Sequence, residues 1–191
     1  MAIRRGRKHG GQAVKIVVTG PFAAGKTTLI RTISEITVLS TERAITDETK
    51  ARKSDTTVAM DFGRITIDQD LVLYLFGTPG QERFDFMWEI LGEGMLGYVL
   101  VVDYDRPESF TEARNILESF EQMAKVPFVV ALNRSQGLER PEEDRVRRWL
   151  EIGPDVPVIP CDATDRDSVK SVLLALLFAL LDRIEVAAVN A

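Results

Sequence analysis

Apolar runs alternate with segments of helical periodicity along most of the chain. Apolar runs predict strands over residues 14–18, 71–76, 98–102 and 127–132, and residues 58–68, which alternate partly, and 156–160, a short edge-like strand, complete the set. Apolar residues at helical spacing predict a helix over residues 108–123, and further helices are expected over residues 26–33, 142–150 (a polar helix) and 165–184. Such alternation predicts a mostly parallel sheet with helices on both faces and ligand sites at the carboxyl ends of the strands.

Two of these strands are expected to form a hairpin. Asp68-Gln69-Asp70 supplies a turn between strands 58–68 and 71–76, so this pair should run antiparallel. Residues 36–56 are polar and lack periodicity, which predicts a long loop, and a long loop within a compact domain usually has a function. The expected fold class is therefore α/β, with a single doubly wound, mostly parallel six-stranded sheet that contains one antiparallel strand.

The length of 191 residues, with 45% apolar and 28% charged, favours one compact domain. We expect that domain to span residues 13–185, followed by a tail at 186–191. Residues 1–12 are basic and glycine-bearing, and we interpret them as a flexible leader. This leader is either a solvated tail or a tether to an anionic surface.

Charge and cysteine usage narrow the partners and the compartment. The net charge of −5 argues against a nucleic-acid-binding protein, whose footprint is a basic face. Cys161 is the only cysteine, which fits a reducing compartment and therefore the cytoplasm. The longest apolar run, residues 172–181, has ten residues, too few to cross a bilayer, so direct membrane insertion is not expected.

A phosphate-binding loop lies between the first strand and the first helix. The segment from Gly20 to Thr27 fits the pattern G-x-x-x-x-G-K-S/T, which identifies the fold as a P-loop NTPase. In this loop, backbone N–H groups and the helix N-terminus attract phosphates, Lys26 neutralises the terminal phosphates, and the Thr27 hydroxyl is offered to Mg²⁺. The expected phosphate-binding residues are Gly20, Ala23, Ala24, Gly25, Lys26, Thr27, Thr28 and Gly80.

Two further segments extend the assignment beyond the loop. Residues 57–62 (TVAMDF) and 77–84 (GTPGQERF) resemble switch I and switch II of the Ras, Rab and Arf superfamily of small GTPases, in the correct order and spacing. The resemblance covers residues 14–181. It implies that Thr57, with Thr56 as a close rival, binds Mg²⁺ when the γ-phosphate is present. It also implies that Gly80 contacts that phosphate. The expected catalytic residues are Gln81, which orients the attacking water, and Lys26.

The chain departs from that family at Gly77, where its members usually carry an aspartate that holds the magnesium. Asp61 is the nearest candidate for a replacement metal ligand, and a surface or helix-capping role is the alternative. The run T-P-G-Q without the aspartate resembles bacterial gliding-motility (Mgl-type) GTPases. That resemblance implies a roadblock-type protein partner.

Phe22 is a second departure, because Ras-like proteins place glycine at this third position of the loop. The ring either crowds the approach of catalytic groups, which predicts slow hydrolysis, or folds back onto the protein.

The base-reading segment is Asn133-Arg134-Ser135-Gln136, where the family has N-K-x-D. Gln136 can donate or accept, so it discriminates guanine from adenine less sharply than a carboxylate does. Cys161-Asp162-Ala163 resembles the family's S-A-K loop, which implies that Asp162 and Ala163 also lie at the base. GTP and GDP are the expected ligands, and relaxed or adenine specificity is the alternative.

The sequence thus favours a GTP-controlled switch that hydrolyses slowly and signals through loops 36–57 and 78–95. One alternative is a nucleotide-binding scaffold with little turnover. The other is an ATP-dependent small-molecule kinase, although the clustered arginines Arg145, Arg147 and Arg148 alternate with acidic residues on a predicted exposed helix.

Overall fold

The computed structural model describes residues 12–45, 56–68, 70–80, 86–135 and 140–189. Within those ranges seven strands and five α-helices follow one another. The strands are β1 (Gln12–Thr19), β2 (Leu39–Ile45), β3 (Thr56–Asp68), β4 (Leu71–Gly77), β5 (Gly97–Asp103), β6 (Phe128–Asn133) and β7 (Val158–Cys161). The helices are α1 (Lys26–Ile33), α2 (Phe86–Gly92), α3 (Phe110–Met123), α4 (Arg140–Leu150) and α5 (Arg166–Val189), with a 3-10 turn at Pro107–Ser109 before α3.

The strands form one sheet in the order β2-β3-β4-β1-β5-β6-β7. Strand β3 is antiparallel to both of its neighbours, and all other pairs are parallel. The α/β class, the β3–β4 hairpin and the single antiparallel strand are therefore confirmed. The carboxyl ends of β1, β5, β6 and β7 all lie at one edge of the sheet, as parallel strands require.

Two apolar cores cover the two faces of the sheet. One face packs against α1 and α5, through Leu29, Ile30, Ile33, Val169, Val172, Leu173 and Leu176. The other packs against α2, α3 and α4, through Trp88, Phe110, Ile116, Phe120, Val146 and Leu150. All seven residues of β5 are buried because this central strand is covered on both sides, which explains its continuous apolar sequence.

The expectation of six strands was wrong, because β2 lies within the segment predicted to be a loop. The sequence of β2, LSTERAI, has no regular alternation of apolar and polar residues that would mark it as a strand. Its order comes from backbone pairing with β3, from Leu39 opposite Phe62 to Ile45 opposite Thr56. Backbone hydrogen bonds of this kind depend on the neighbouring strand and leave little trace in the side-chain pattern.

Element boundaries otherwise follow the sequence closely. Helix α1 begins and ends where it was predicted, β1 begins at Gln12, and α5 continues to Val189. Helix α2, inside the switch II segment, was not predicted as a separate element. No helix in the described part of the chain has the length and apolar content needed to cross a membrane.

Candidate functional site

The phosphate loop joins β1 to α1 at the carboxyl edge of the sheet. Gly20 has a φ of 139°, and a Cβ there would lie 2.1 Å from the Val101 carbonyl oxygen of β5. Gly25 has a φ of 110°, and its Cβ would lie 2.4 Å from Asn133 Nδ2. Both positions therefore require glycine, for conformation and for space. Ala23 also has a positive φ, of 62°, which completes the left-handed bend of the loop.

Lys26 is the first residue of α1, and its side chain is buried beneath the loop. Its Nζ donates to the carbonyl oxygens of Gly20, at 2.6 Å, and Pro21, at 2.7 Å. Burial lowers the pKa of Lys26 to about 8, and the nearby carboxylates of Glu112 and Asp61 oppose that shift. The ammonium group is thus held inside the loop, where it can turn toward a phosphate.

Gly80 lies directly against the Lys26 ammonium group and the phosphate loop. A Cβ on Gly80 would lie 2.6 Å from Lys26 Nζ and 2.7 Å from the Phe22 backbone nitrogen. The segment before it is anchored to β1, since Thr78 N–H donates to the Val18 carbonyl at 2.9 Å. The switch II glycine therefore lies against the ammonium group and the phosphate loop, and any larger side chain at residue 80 would collide with both.

Asp61 lies beside the phosphate loop, on strand β3. Its carboxylate accepts a short hydrogen bond from the Thr27 hydroxyl, and the residue is largely buried. In the β3–β4 pairing Asp61 is directly opposite Gly77. A Cβ on Gly77 would lie 3.0 Å from Asp61 Cβ and 2.8 Å from Ile30 Cδ1, so the small residue on β4 makes room for the carboxylate from β3.

Phe22 points its ring into solvent, with 61% of the residue exposed. Its backbone is held from both sides: the N–H donates to Glu112 Oε1 at 3.3 Å, and the carbonyl accepts from Arg106 Nη1 at 3.4 Å. In this structure the ring has not folded back onto the protein. Glu112 and Arg106 were not singled out from the sequence, because both contacts span more than eighty residues and no local pattern marks them.

Asn133 connects the phosphate loop to the loop after β7. Its Nδ2 donates to the Ala24 carbonyl at 2.9 Å, and its Oδ1 accepts from the Ala163 N–H at 3.0 Å. The Ala163 N–H is thus donated to a side chain within the protein. Asn133 is buried, and its two hydrogen bonds hold the two loops in fixed relative positions.

The other described residues of the expected base site, Arg134 and Asp162, also form hydrogen bonds within the protein. Arg134, with a φ of 59°, donates a short hydrogen bond to the buried carboxylate of Asp103 at the end of β5. The Asp162 N–H donates to Ser168 Oγ at 2.9 Å, and the Asp162 carboxylate accepts from the Thr164 N–H at 2.8 Å. The backbone N–H groups of residues 162, 163 and 164 are thus all bonded internally.

The remaining expected site residues are Thr57, Gln81, Gln136 and Thr28, and the structure describes only some of them. Thr57 lies on β3, paired with Ala44 of β2, and its side chain is outside the described part of the chain. Gln81 and Gln136 lie outside the described residues. Thr28 is exposed on the first turn of α1. The structure therefore brings together Lys26, Thr27, Asp61, Gly80 and the loop glycines, and separately Asn133, Arg134, Asp162 and Ala163.

The chain was compared with families of known proteins and with individual relatives. A family model described as "Conserved hypothetical ATP binding protein" matches residues 18–183. The chain belongs to this family. This member of the conserved ATP-binding family is 33% identical over 122 residues to an uncharacterized protein of Methanocaldococcus jannaschii, covering 64% of this chain and 70% of that protein.

The chain is also similar to Ras-related small GTPases. It is 28% identical over 127 residues to the Ras-related protein RABE1d of Arabidopsis thaliana, covering 65% of this chain and 53% of that protein. It is 24% identical over 115 residues to intraflagellar transport protein 22 of Chlamydomonas reinhardtii, covering 60% and 55%. The chain thus spans about half the length of these eukaryotic relatives. The relatives support a nucleotide-binding protein related to the Ras-like superfamily.

Proposed function

We propose that the protein is a GTP-binding molecular switch with Mg²⁺-dependent binding and slow GTP hydrolysis. The observation that carries the proposal is the convergence of Lys26, Thr27, Asp61 and Gly80 on the phosphate loop. An ammonium group, a hydroxyl, a carboxylate and a close glycine backbone are the groups that a metal-bound triphosphate needs around its terminal phosphates.

The donor set fits Mg²⁺. This cation takes oxygen ligands and is usually bound through one or two protein groups together with substrate phosphates and water. The Thr27 hydroxyl and the Asp61 carboxylate are already in contact, and Thr57 is expected to join them from β3. The bound cation would neutralise charge on the phosphate oxygens, while Lys26 and the loop N–H groups hold those oxygens in place.

GTP is proposed as the nucleotide on the resemblance to small GTPases, and ATP is the second candidate. Two observations support ATP or relaxed specificity: the Ala163 N–H is donated to Asn133, and the family description names ATP. Release and identification of the nucleotide that copurifies with the protein tests this assignment. Guanine nucleotides support the proposal, whereas adenine nucleotides alone replace GTP with ATP and leave the phosphate site as argued.

Slow hydrolysis is proposed on the basis of Phe22 and the expected role of Gln81. The Phe22 backbone lies next to Gly80, and its ring is exposed to solvent at the third position of the phosphate loop, where we propose that it hinders the approach of catalytic groups. We expect Phe22→Gly to raise the single-turnover rate of phosphate release by about tenfold. The reason is that the positioning of a catalytic glutamine or arginine contributes orders of magnitude to the rate in related enzymes. Exposed Leu96, just before the amino end of β5, supplies the control Leu96→Gly. A rate that falls in Phe22→Gly rejects crowding as the cause.

Phosphate release also separates the switch from its alternatives. A scaffold binds nucleotide without measurable release, and a kinase transfers phosphate to an added acceptor. The kinase reading receives no support from the arginines of α4, since Arg147 Nη1 donates to the carbonyls of Gly153 and Val156 and Arg145 stacks 4.3 Å from the Trp149 ring. These two side chains support the end of α4 rather than an acceptor site.

The switch loops, partner and location complete the proposal. Residues 36–57 and 78–95 are proposed to change conformation with the bound nucleotide. A roadblock-type partner and the cytoplasm are proposed from the resemblance to Mgl-type GTPases and from the single cysteine. Phosphate release measured with and without a candidate roadblock protein tests the partner.

Trp88 is expected to report the state of switch II. The indole is buried against α3, and its Nε1–H donates to the Pro79 carbonyl at 3.3 Å, one residue before Gly80. Movement of Gly80 toward a γ-phosphate therefore changes the environment of the indole. In a Trp149→Phe background, we expect different emission for the GTP-loaded and GDP-loaded protein. The same emission in both states, with Trp88→Phe as the blank, would contradict a mobile switch II.

A further inference from the structure

Helix α5 carries large apolar side chains on its outward face. Leu174, Phe178, Leu181 and Ile184 are 51%, 62%, 53% and 64% exposed. Leu174 and Leu181 are seven residues apart with Phe178 between them, which places the three on one side of the helix as a continuous seam. This seam of Leu174, Phe178 and Leu181 is called the α5 seam.

The fold itself does not need the α5 seam. The inward face of α5 already supplies Val169, Val172, Leu173 and Leu176 to the core. Helix α3 shows the ordinary arrangement, since its outward positions include Asn115, Glu118 and Gln122. Helices that are apolar on both faces are usually covered on both, so the outward side of α5 requires a covering surface.

The charges at the ends of the α5 seam are complementary to each other. Lys170 is exposed one turn before Leu174, and Glu185 is exposed one turn after Leu181. If two copies of α5 pack antiparallel about a two-fold axis near Phe178, Leu174 of one copy faces Leu181 of the other. In the same register Lys170 faces Glu185 of the second copy, at both ends of the seam. Parallel packing would instead bring Lys170 next to Lys170 and Glu185 next to Glu185.

We propose that the α5 seam is the contact surface between two copies of this chain, which pack antiparallel with Lys170 opposite Glu185. An isologous contact of this kind closes on itself and yields a dimer rather than a filament. An anionic membrane surface is a poorer occupant, because the exposed basic residues of α5 (Arg166, Lys170 and Arg183) are balanced by exposed acidic ones (Asp167, Asp182 and Glu185), so the helix offers no net positive charge. The surface lies on the α1–α5 face and is independent of the nucleotide site.

The expected dimer is weak. Stable interfaces bury about 1,200–2,000 Å² in total, and one helix pair with a short apolar seam buries less than that. We therefore expect a dissociation constant of about 10–100 μM, so that the dimer appears only at high concentration. Sedimentation velocity of the full chain over about 5–500 μM covers this range.

Charge exchange makes the register testable. Phe178→Glu should leave the protein monomeric across the range. Lys170→Glu and Glu185→Lys should each raise the dissociation constant about fivefold, because each places like charges opposite one another. The double variant Lys170→Glu/Glu185→Lys should restore the wild-type value, although the contact between Lys170 and Asp167 is lost in it. Leu96→Lys, which removes an exposed leucine elsewhere, is the control and should dimerise normally.

Three outcomes would overturn the proposal. The first is a wild-type protein that stays monomeric at about 500 μM. The second is a double variant that fails to recover, which would show that Lys170 and Glu185 do not face each other. The third is binding of the wild type, but not of Phe178→Glu, to phosphatidylcholine–phosphatidylserine vesicles, which would assign the seam to a membrane. Thermal unfolding of each variant shows whether it is folded, and a destabilised monomeric Phe178→Glu would indicate a face covered within the chain.

Discussion

Asp61→Ala is expected to weaken Mg²⁺-dependent binding of nucleoside triphosphate by about 10- to 100-fold. Asp61 is the carboxylate in contact with Thr27, whose hydroxyl is proposed as a metal ligand. Without it, the site loses its anionic oxygen donor. We would measure affinity by equilibrium titration in Mg²⁺ and in chelator. The two affinities should differ widely in the wild type and converge in Asp61→Ala, whereas Asp68→Ala, at the far end of the same strand, should behave as wild type.

The double variant Asp61→Gly/Gly77→Asp sharpens this test by moving the carboxylate across the strand pair. Asp61 faces Gly77 in the β3–β4 register. The resemblance to small GTPases implies an aspartate at the Gly77 position. Glycine at residue 61 removes the 3.0 Å contact that a Cβ at residue 77 would make, and the Ile30 methyl group can rotate away. Partial recovery of Mg²⁺ dependence is the expected result. Glycine within a strand costs about 0.5–1 kcal/mol, so unfolding is measured in parallel.

An affinity of Asp61→Ala that is unchanged in Mg²⁺ and in chelator would remove Asp61 from the metal site. If only the double variant fails to recover Mg²⁺ dependence and it is folded, the cause is the position of the carboxylate on β4. In that case the β4 position would not reach the metal in this chain, and Asp61 would remain assigned by the single variant.

Nucleotide affinity is expected to fall about tenfold for each pH unit above 8. In the nucleotide-free protein, burial lowers the pKa of Lys26 to about 8, so the side chain loses its proton above that pH. The phosphates require the charged form, and binding above pH 8 must therefore include uptake of a proton. Below pH 8 the affinity should be nearly constant. Titrations with the same nucleotide between about pH 7 and 9 measure the slope.

Lys26→Arg is the matched control, because a guanidinium group stays charged over this range. Its affinity should be lower than that of the wild type but independent of pH. A wild-type affinity that is flat from about pH 7 to 9 would contradict a buried Lys26 that binds phosphate as an ammonium group.

The same pKa has a consequence for stability. Because Lys26 binds its proton less tightly in the folded than in the unfolded chain, the unfolded chain holds more protons between pH 8 and the ordinary lysine pKa of 10.5. The Lys26 contribution therefore makes the nucleotide-free protein more stable as pH rises through that window.

Much of the fold was predictable because its central elements are marked locally. Strands β5 and β6 are buried on both faces and therefore appear as apolar runs, and the glycines of the phosphate loop determine where α1 begins. Strand β2 carries no such mark, since its pairing with β3 uses backbone groups. Sequence alone therefore gave one strand too few.

The candidate site divides in the same way. Apart from Gly80, the expected phosphate-binding residues lie within residues 20–28 and could be proposed from one motif. Asp61 could be proposed as a replacement for the missing aspartate, but its position opposite Gly77 depends on a strand register that the sequence does not determine. The contacts of Phe22 with Glu112 and of Arg134 with Asp103 join residues 90 and 31 positions apart, and they exist only because the fold brings loop ends together.

Titration calorimetry of nucleotide-free protein with GTP and with ATP, at about millimolar Mg²⁺, tests the phosphate site most directly. We predict saturable uptake of one triphosphate per chain, weakened by chelation and abolished in Lys26→Met. A folded protein that takes up neither nucleotide under these conditions would contradict the assignment of the loop, the metal pair and the switch together.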